Sequence, residues 1–181
     1  MTTYPDHVIL LDEAGNPAGT APRATVHHED TPLHLAFSCY LFDSAGQVLL
    51  TRRALSKRTF AGVWTNSFCG HPRPGEDRID AVHRHADHEL GITVHDVQEI
   101  LPEFRYRAVD ASGVVENEIC PVFIARTDVP VRPNPEEVDA FAWAPAEHLS
   151  NAVRWASWAL SPWSVAQVPQ LQAAGALPAA A

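Results

Sequence analysis

Cys69 and His71 stand two residues apart, and so do Glu116 and Glu118. Side chains alternate between the faces of an extended strand, so each pair shares one face. A thiol, an imidazole and two carboxylates are groups that carry protons and hold divalent cations. Beyond Glu118 the chain turns apolar, through Ile119, Val122, Phe123 and Ile124. Two carboxylates beside such a core-like run are costly unless a cation or a proton compensates them. A solvated strand face is the commoner meaning of an isolated ExE pattern, because so short a motif has little specificity. Upstream, His27 and His34 frame a loop, with His28 competing with His27 as a ligand. Imidazole together with carboxylate suits Zn²⁺, Mn²⁺ or a similar divalent ion.

Other residues of chemical interest read more blandly. His7, His95 and His148 are expected at the surface. His83, His85 and His88 fall on a helix, on a face read as mainly exposed. Arg23, Arg52, Arg53, Lys57 and Arg58 form a candidate anion patch, with a solvated hairpin edge as the equal alternative. The cysteines number three and show no CxxC spacing, which fits neither a disulfide framework nor a zinc ribbon. Cys39 and Cys120 are read as small buried hydrophobes.

These groups need elements to hold them. Strands are expected at His7 to Leu11, Leu35 to Phe42, Gln47 to Arg53, Val63 to Cys69, Phe104 to Val109, Val114 to Arg126 and Ala140 to Trp143. Two hairpins turn at Asp43-Ser44-Ala45-Gly46 and at Asp110-Ala111-Ser112-Gly113. Residues 21–34 and 55–62 read as loops. Ile79, Val82, Ala86 and Leu90 recur at helical spacing over Glu76 to Leu90, with Gly91 as the stop. A helical turn is expected at Pro145 to Leu149 and a Trp-rich helix over Asn151 to Gln170, interrupted by Pro162. Strands mixed with helices make the fold class α+β. One domain covers residues 1–172, and residues 173–181, mostly small and with little to bury, read as a mobile tail.

Composition bounds the partners. With 181 residues, 46% hydrophobic and 19% charged, the chain suits one globular domain. A formal net charge of −9 argues against nucleic acid. A small anion bound by a local basic cluster stays compatible with it. No apolar run approaches a membrane span, and the start lacks a basic region followed by an apolar stretch, so a cytoplasmic location is expected.

Gly70, Glu76, Arg84, Glu89, Gly91 and Ile92 follow the spacing of a Nudix box. His85 and His88 stand where a hydrolase box carries glutamates before Glu89, which argues against Nudix-type hydrolysis of a diphosphate. The stretches HLAFSCYLFD, LLTRRALSK, GVWTNSFCGHP, FRYRA, VENEICPVF and ALSPW, in order from about His7 to Trp163, resemble type I isopentenyl-diphosphate isomerases. The resemblance implies a Nudix-like mixed β-sheet core flanked by helices. It implies isomerisation of isopentenyl diphosphate to dimethylallyl diphosphate through a tertiary carbocation, in isoprenoid biosynthesis. Cys69 and Glu118 would handle the protons, Tyr106 would support Glu118 by hydrogen bonding, and Trp163 would face the hydrocarbon. His27, His34, His71, Glu116 and Glu118 would hold one divalent ion, Mn²⁺, Zn²⁺ or Mg²⁺. Glu89 would hold Mg²⁺ bridging the diphosphate. Arg23, Arg53, Lys57 and Arg84 match substrate-binding positions. The expected partner is a small prenyl diphosphate, and the expected state a monomer.

Two departures stand out from that pattern. His85 occupies the place of a second Arg after Arg84, and Arg23 that of a Lys, with effects expected on affinity more than on reaction type. Rival readings are a Nudix hydrolase, a cation-chemistry enzyme acting on a longer prenyl diphosphate, and a non-catalytic metal or diphosphate-binding domain.

Overall fold

The apolar run Phe37–Phe42 is a strand with both faces buried, and it forms the centre of the molecule. In the computed structural model, which describes residues 6–179, Phe37, Cys39 and Leu41 point into one core and Tyr40 into another. Such two-sided burial needs a nearly continuous apolar sequence, which FSCYLF supplies.

The described strands are β1 (His7–Leu11), β2 (Pro17–Pro22), β3 (His34–Leu35), β4 (Phe37–Phe42), β5 (Gln47–Arg53), β6 (Trp64–Thr65) and β7 (Phe68–Gly70). After helix α1 (Arg78–Leu90) come β8 (His95–Leu101), β9 (Arg105–Val109), β10 (Val115–Ile119), β11 (Val122–Arg126) and β12 (Val138–Pro145). Helices α2 (Ala146–Trp155) and α3 (Pro162–Ala173) close the described chain, with a 3-10 turn at Ser157–Ala159 between them. The strands form two sheets. One runs β2-β1-β3-β10-β9, and the other runs β12-β5-β4-β11-β8 with β6 added to β5 and β7 to β4. Helix α1 packs on one face of the larger sheet through Val82, Ala86 and Leu90. Leu149 of α2 and Val168 and Leu171 of α3 cover the other face. The α+β class, a mixed sheet core flanked by helices, is the observed one.

Several boundaries differ from the sequence expectation, each for a local reason. Val63 to Cys69 is two short strands and not one, because Asn66 and Ser67 are buried and bond to the backbone. Asn66 donates to the carbonyls of Cys39 and Phe68, and Ser67 Oγ donates to Leu49 O. The strand expected from Val114 to Arg126 breaks at Cys120-Pro121, where the chain leaves the smaller sheet for the larger. Proline has no N–H to give a ladder, and it marks the crossing. Strands β2 and β8 lack a strong apolar pattern and were not expected. Helix α1 starts at Arg78, with Asp77 as N-cap accepting from Ile79 N, and Ile79 faces solvent. Gly91 is the left-handed C-cap (φ 62°).

Pro162 begins a helix and does not interrupt one. Ser161 caps α3 and Pro162 fits its first turn, where a missing N–H costs nothing. Leu177, in the segment expected to have little to bury, is buried among the α2 and α3 side chains, and Ser150 donates to Pro178 O. Residues 180–181 of that segment lie outside the described residues. All three cysteines are free thiols, with Cys39 and Cys120 buried. Among the described residues, no helix is long and apolar enough to cross a membrane.

Candidate active site

The two same-face pairs of the sequence open onto one cavity of about 570 Å³, from different sheets. Cys69 and His71 enter from the end of β7, in the larger sheet, and Glu116 and Glu118 from β10, in the smaller. Sheet register places three groups at one level. Glu118 lies opposite His34 on the parallel strand β3 and opposite Tyr106 on the antiparallel strand β9.

His27, His34, His71 and Glu118 each bring one ligand atom within 4.8 Å of the others. His34 Nε2 and His71 Nε2 are 3.3 Å apart, and Glu118 Oε1 is 3.4 Å and 3.2 Å from them. His34 Nδ1 lies 2.9 Å from the carbonyl of Pro32 and donates to it, so a neutral ring turns an Nε2 lone pair toward the cluster and a protonated one turns Nε2–H toward Glu118. His27 Nε2 is buried without a hydrogen bond, although Glu116 Oε2 is 3.1 Å away. Converging lone pairs and an orphaned imidazole nitrogen are what a divalent cation would satisfy, so the donor set fits a metal ion. His28 is excluded from the cluster. It is exposed, and its Nδ1 accepts from Asp30 N.

Glu116 lies beside this group, its Oε1 accepting from Thr59 Oγ1 at 2.5 Å. Tyr106 donates to Glu118 Oε2 at 2.8 Å. Burial raises the proton affinity of Glu118. Hydrogen bonds and positive charge from His34 and His71 in their protonated forms outweigh that and hold the carboxyl well below its usual range. Burial pushes His71 down to about 4. Tyr106 is pushed well above the ordinary phenol value, first by burial and then by the charge of Glu118.

Around Cys69 the packing is tight. Asn66 Oδ1 accepts from Thr65 Oγ1 (2.7 Å), Trp163 Nε1 (2.9 Å) and the Cys69 thiol (3.2 Å). Its amide nitrogen is engaged by two backbone carbonyls, so the amide cannot turn round. Ser38 Oγ approaches Cys69 Sγ to 3.5 Å and accepts from Gln167, which accepts from Tyr40. Burial pushes the Cys69 thiol up to about 11, against the hydrogen bonds of Ser38 and Asn66. Trp163 is fixed further by Phe60, edge-on at 5.2 Å, and by Tyr106 at 5.6 Å.

The mouth of the cavity is basic. Arg23, Arg53, Lys57 and Arg58 line it, whereas Arg52 turns away to Gly62 O and Asp139. Arg53 lies 5.5 Å from the Trp163 ring and donates to Thr59 O, and Lys57 pairs with Glu137. Arg84 is committed to Glu76 by two bonds of 2.7 Å and to the carbonyl of His71 at 3.0 Å, so it braces the backbone of His71. Glu89 is buried and 2.8 Å from His85 Nδ1. His85 is not on an exposed face as its position suggested. It lies against Gly70, where a Cβ would come within 2.3 Å of its ring, and packs edge-on to Phe37. The signal was the glycine at position 70, which leaves room for the imidazole.

This arrangement of sheets around an α1 helix is that of a NUDIX domain, whose family matches residues 32–164. Solved structures share the fold. A Deinococcus radiodurans protein has a TM-score of 0.69 at 21% identity, over 91% of this chain and 98% of that one. The MutT protein of Methanosarcina mazei Go1 has 0.62 at 18%, over 81% and 97%. Sequence relatives are more specific. The Isopentenyl-diphosphate Delta-isomerase of Clavibacter sepedonicus is 57% identical over 171 residues, 94% of this chain and 90% of the relative. That of Mycolicibacterium vanbaalenii is 58% identical over 175 residues, 97% of this chain and 96% of the relative. The chain belongs to the isopentenyl-diphosphate Delta-isomerase family, on the Nudix fold.

Proposed function

We propose that this chain converts isopentenyl diphosphate to dimethylallyl diphosphate, with Cys69 and Glu118 as its two proton carriers. The observation that carries this is their placement on separate sheets, both opening onto one cavity. The reaction needs it. The terminal alkene carbon accepts a proton, giving a tertiary cation, and a different proton leaves the neighbouring carbon on the allylic side. A flat hydrocarbon lying between two proton carriers can do both without turning over.

Cys69 is protonated at neutral pH and held by Asn66, and Glu118 is ionised and held by Tyr106. The face of Trp163 stabilises the cation by about 2 kcal/mol when desolvated. Its N–H bond to Asn66 stops the ring from swinging away. Phe60 and Tyr106 beside it keep out water that would trap the cation as an alcohol.

A divalent ion, Mn²⁺, Zn²⁺ or Mg²⁺, held by His27, His34, His71, Glu116 and Glu118 would supply positive charge that fixes the Glu118 carboxylate. Glu89 would hold Mg²⁺ against the diphosphate, with Arg23, Arg53 and Lys57 as its cationic neighbours. The chain would act as a cytoplasmic monomer without nucleic acid or membrane partners.

The test is conversion of isopentenyl diphosphate by the wild type, Cys69→Ala and Glu118→Gln with Mg²⁺ present. Each variant should lose on the order of 10³-fold in kcat while keeping its fold. Wild-type rates in either variant would refute the assigned pair.

A further inference from the structure

At the mouth of the cavity three guanidinium groups, Arg23, Arg73 and Arg84, stand with two carboxylates, Asp6 and Glu76. Both carboxylates are taken. Asp6 binds Arg23 at 2.9 Å and is held below the usual carboxylate range by that hydrogen bond, with the charges of Arg73 and Arg84 adding to the effect. Glu76 grips Arg84 with both oxygens, and its Oε2 also accepts from the backbone N–H of Arg73. Three cations against two anions leave one positive charge over. Arg73 carries it. Among the described residues its Nε is buried with no hydrogen-bond partner, and no carboxylate pairs with it.

A buried guanidinium N–H without an acceptor leaves its lost hydration uncompensated unless a ligand supplies one. The backbone holds it in place at little entropic expense. Pro72 and Pro74 flank it, and Arg73 to Glu76 form a turn closed by Glu76 N to Arg73 O at 2.9 Å. Pro74 second and Gly75 third (φ 81°) is the type II pattern, in which only the third position requires a positive φ. Lys57 has Glu137, Arg53 has Thr59, Arg58 has the carbonyl of Ala24, and His85 is 2.8 Å from Glu89. Arg73 is therefore the cation at this mouth that a substrate can engage without first displacing a protein partner.

From this geometry we infer that Arg73 is a substrate-binding residue for the diphosphate end, donating to a phosphate oxygen and standing in for a cation that His85 does not supply. The inference rests on the reading of this cavity as a prenyl-diphosphate site. The substrate class it implies is a diphosphate whose terminal phosphate reaches the β7–α1 turn.

Arg73→Gln and Arg73→Lys test it, with Arg78→Gln, on the outer face of α1, as the control. Isomerase kinetics should show KM raised about tenfold in Arg73→Gln with kcat within about twofold, partial recovery in Arg73→Lys, and no change in Arg78→Gln. Calorimetric titration with inorganic pyrophosphate and Mg²⁺ should show the same loss of affinity. An active wild type with unchanged KM in Arg73→Gln overturns the inference, as does a fall in kcat alone. A wild type inactive on isopentenyl diphosphate sinks the isomerase reading instead. In that case pyrophosphate binding still decides the role of Arg73, since equal affinity in wild type and Arg73→Gln overturns it.

Discussion

The floor and the mouth of the cavity are built on opposite principles. On the floor, Asn66, Ser38, Gln167 and Tyr40 are buried and bonded to one another or to backbone; Cys69 and Trp163 hang from that frame, and Glu118 is held beside it by Tyr106, His34 and His71. At the mouth, long cations lean on carboxylates that a substrate could replace, and the Asp6–Arg23 pair is 53% exposed on each side. The floor fixes geometry through buried hydrogen bonds. The mouth supplies charge and tolerates rearrangement. Chemistry that moves protons needs the first, and capture of a diphosphate needs the second.

The sharpest way to break this contrast is to empty the floor of metal. Exhaustive chelation should lower kcat by on the order of 10³-fold, measured on verified metal-free protein and restored by titrating Mn²⁺, Zn²⁺ or Mg²⁺ separately. Next comes the thiol. With Cys69 raised from 9.0 to about 11 by burial, its thiolate fraction at neutral pH is about 100-fold below that of an ordinary thiol. Alkylation followed by mass spectrometry should be correspondingly slow. It should gain about tenfold per pH unit until about 11, and a plateau near 9 would mean the thiol is not shielded.

Asn66→Ala should cost tens of fold in kcat, since both Cys69 and Trp163 lose their anchor. It should also lower unfolding stability by about 3 kcal/mol, because two buried carbonyls lose their donor. The smallest effect belongs to the mouth. Raising ionic strength from about 0.05 to 0.5 M should raise KM severalfold with kcat unchanged, because exposed charges are screened and the buried floor is not.

What could be read from the sequence follows the range of the interaction. Cys69/His71 and Glu116/Glu118 were legible as pairs because strand alternation is local, and α1 because its apolar period and Gly91 are local. Family resemblance joined the pairs into one site. The separation of their strands into two sheets depends on Pro121, a residue whose meaning only the tertiary fold reveals. The inward turn of His85 was hidden because it depends on β7 passing at Gly70, fifteen residues earlier in the chain. Arg73 drew no notice for a related reason. A free cation is defined by what its neighbours are already bound to, and that depends on Asp6, about seventy residues away, as well as on Glu76, just before α1, and Arg84, within it.

The crossing at Cys120-Pro121 makes the gap between the sheets a gauge. Glu118 precedes the crossing, and Cys69 belongs to the sheet that β11 enters after it. The distance between Cys69 and Glu118 is therefore a property of sheet-to-sheet packing and not of any one loop. Side chains lining that seam can change in size, and so change the width of the gap, while Cys69 and Glu118 keep their own strands and hydrogen bonds.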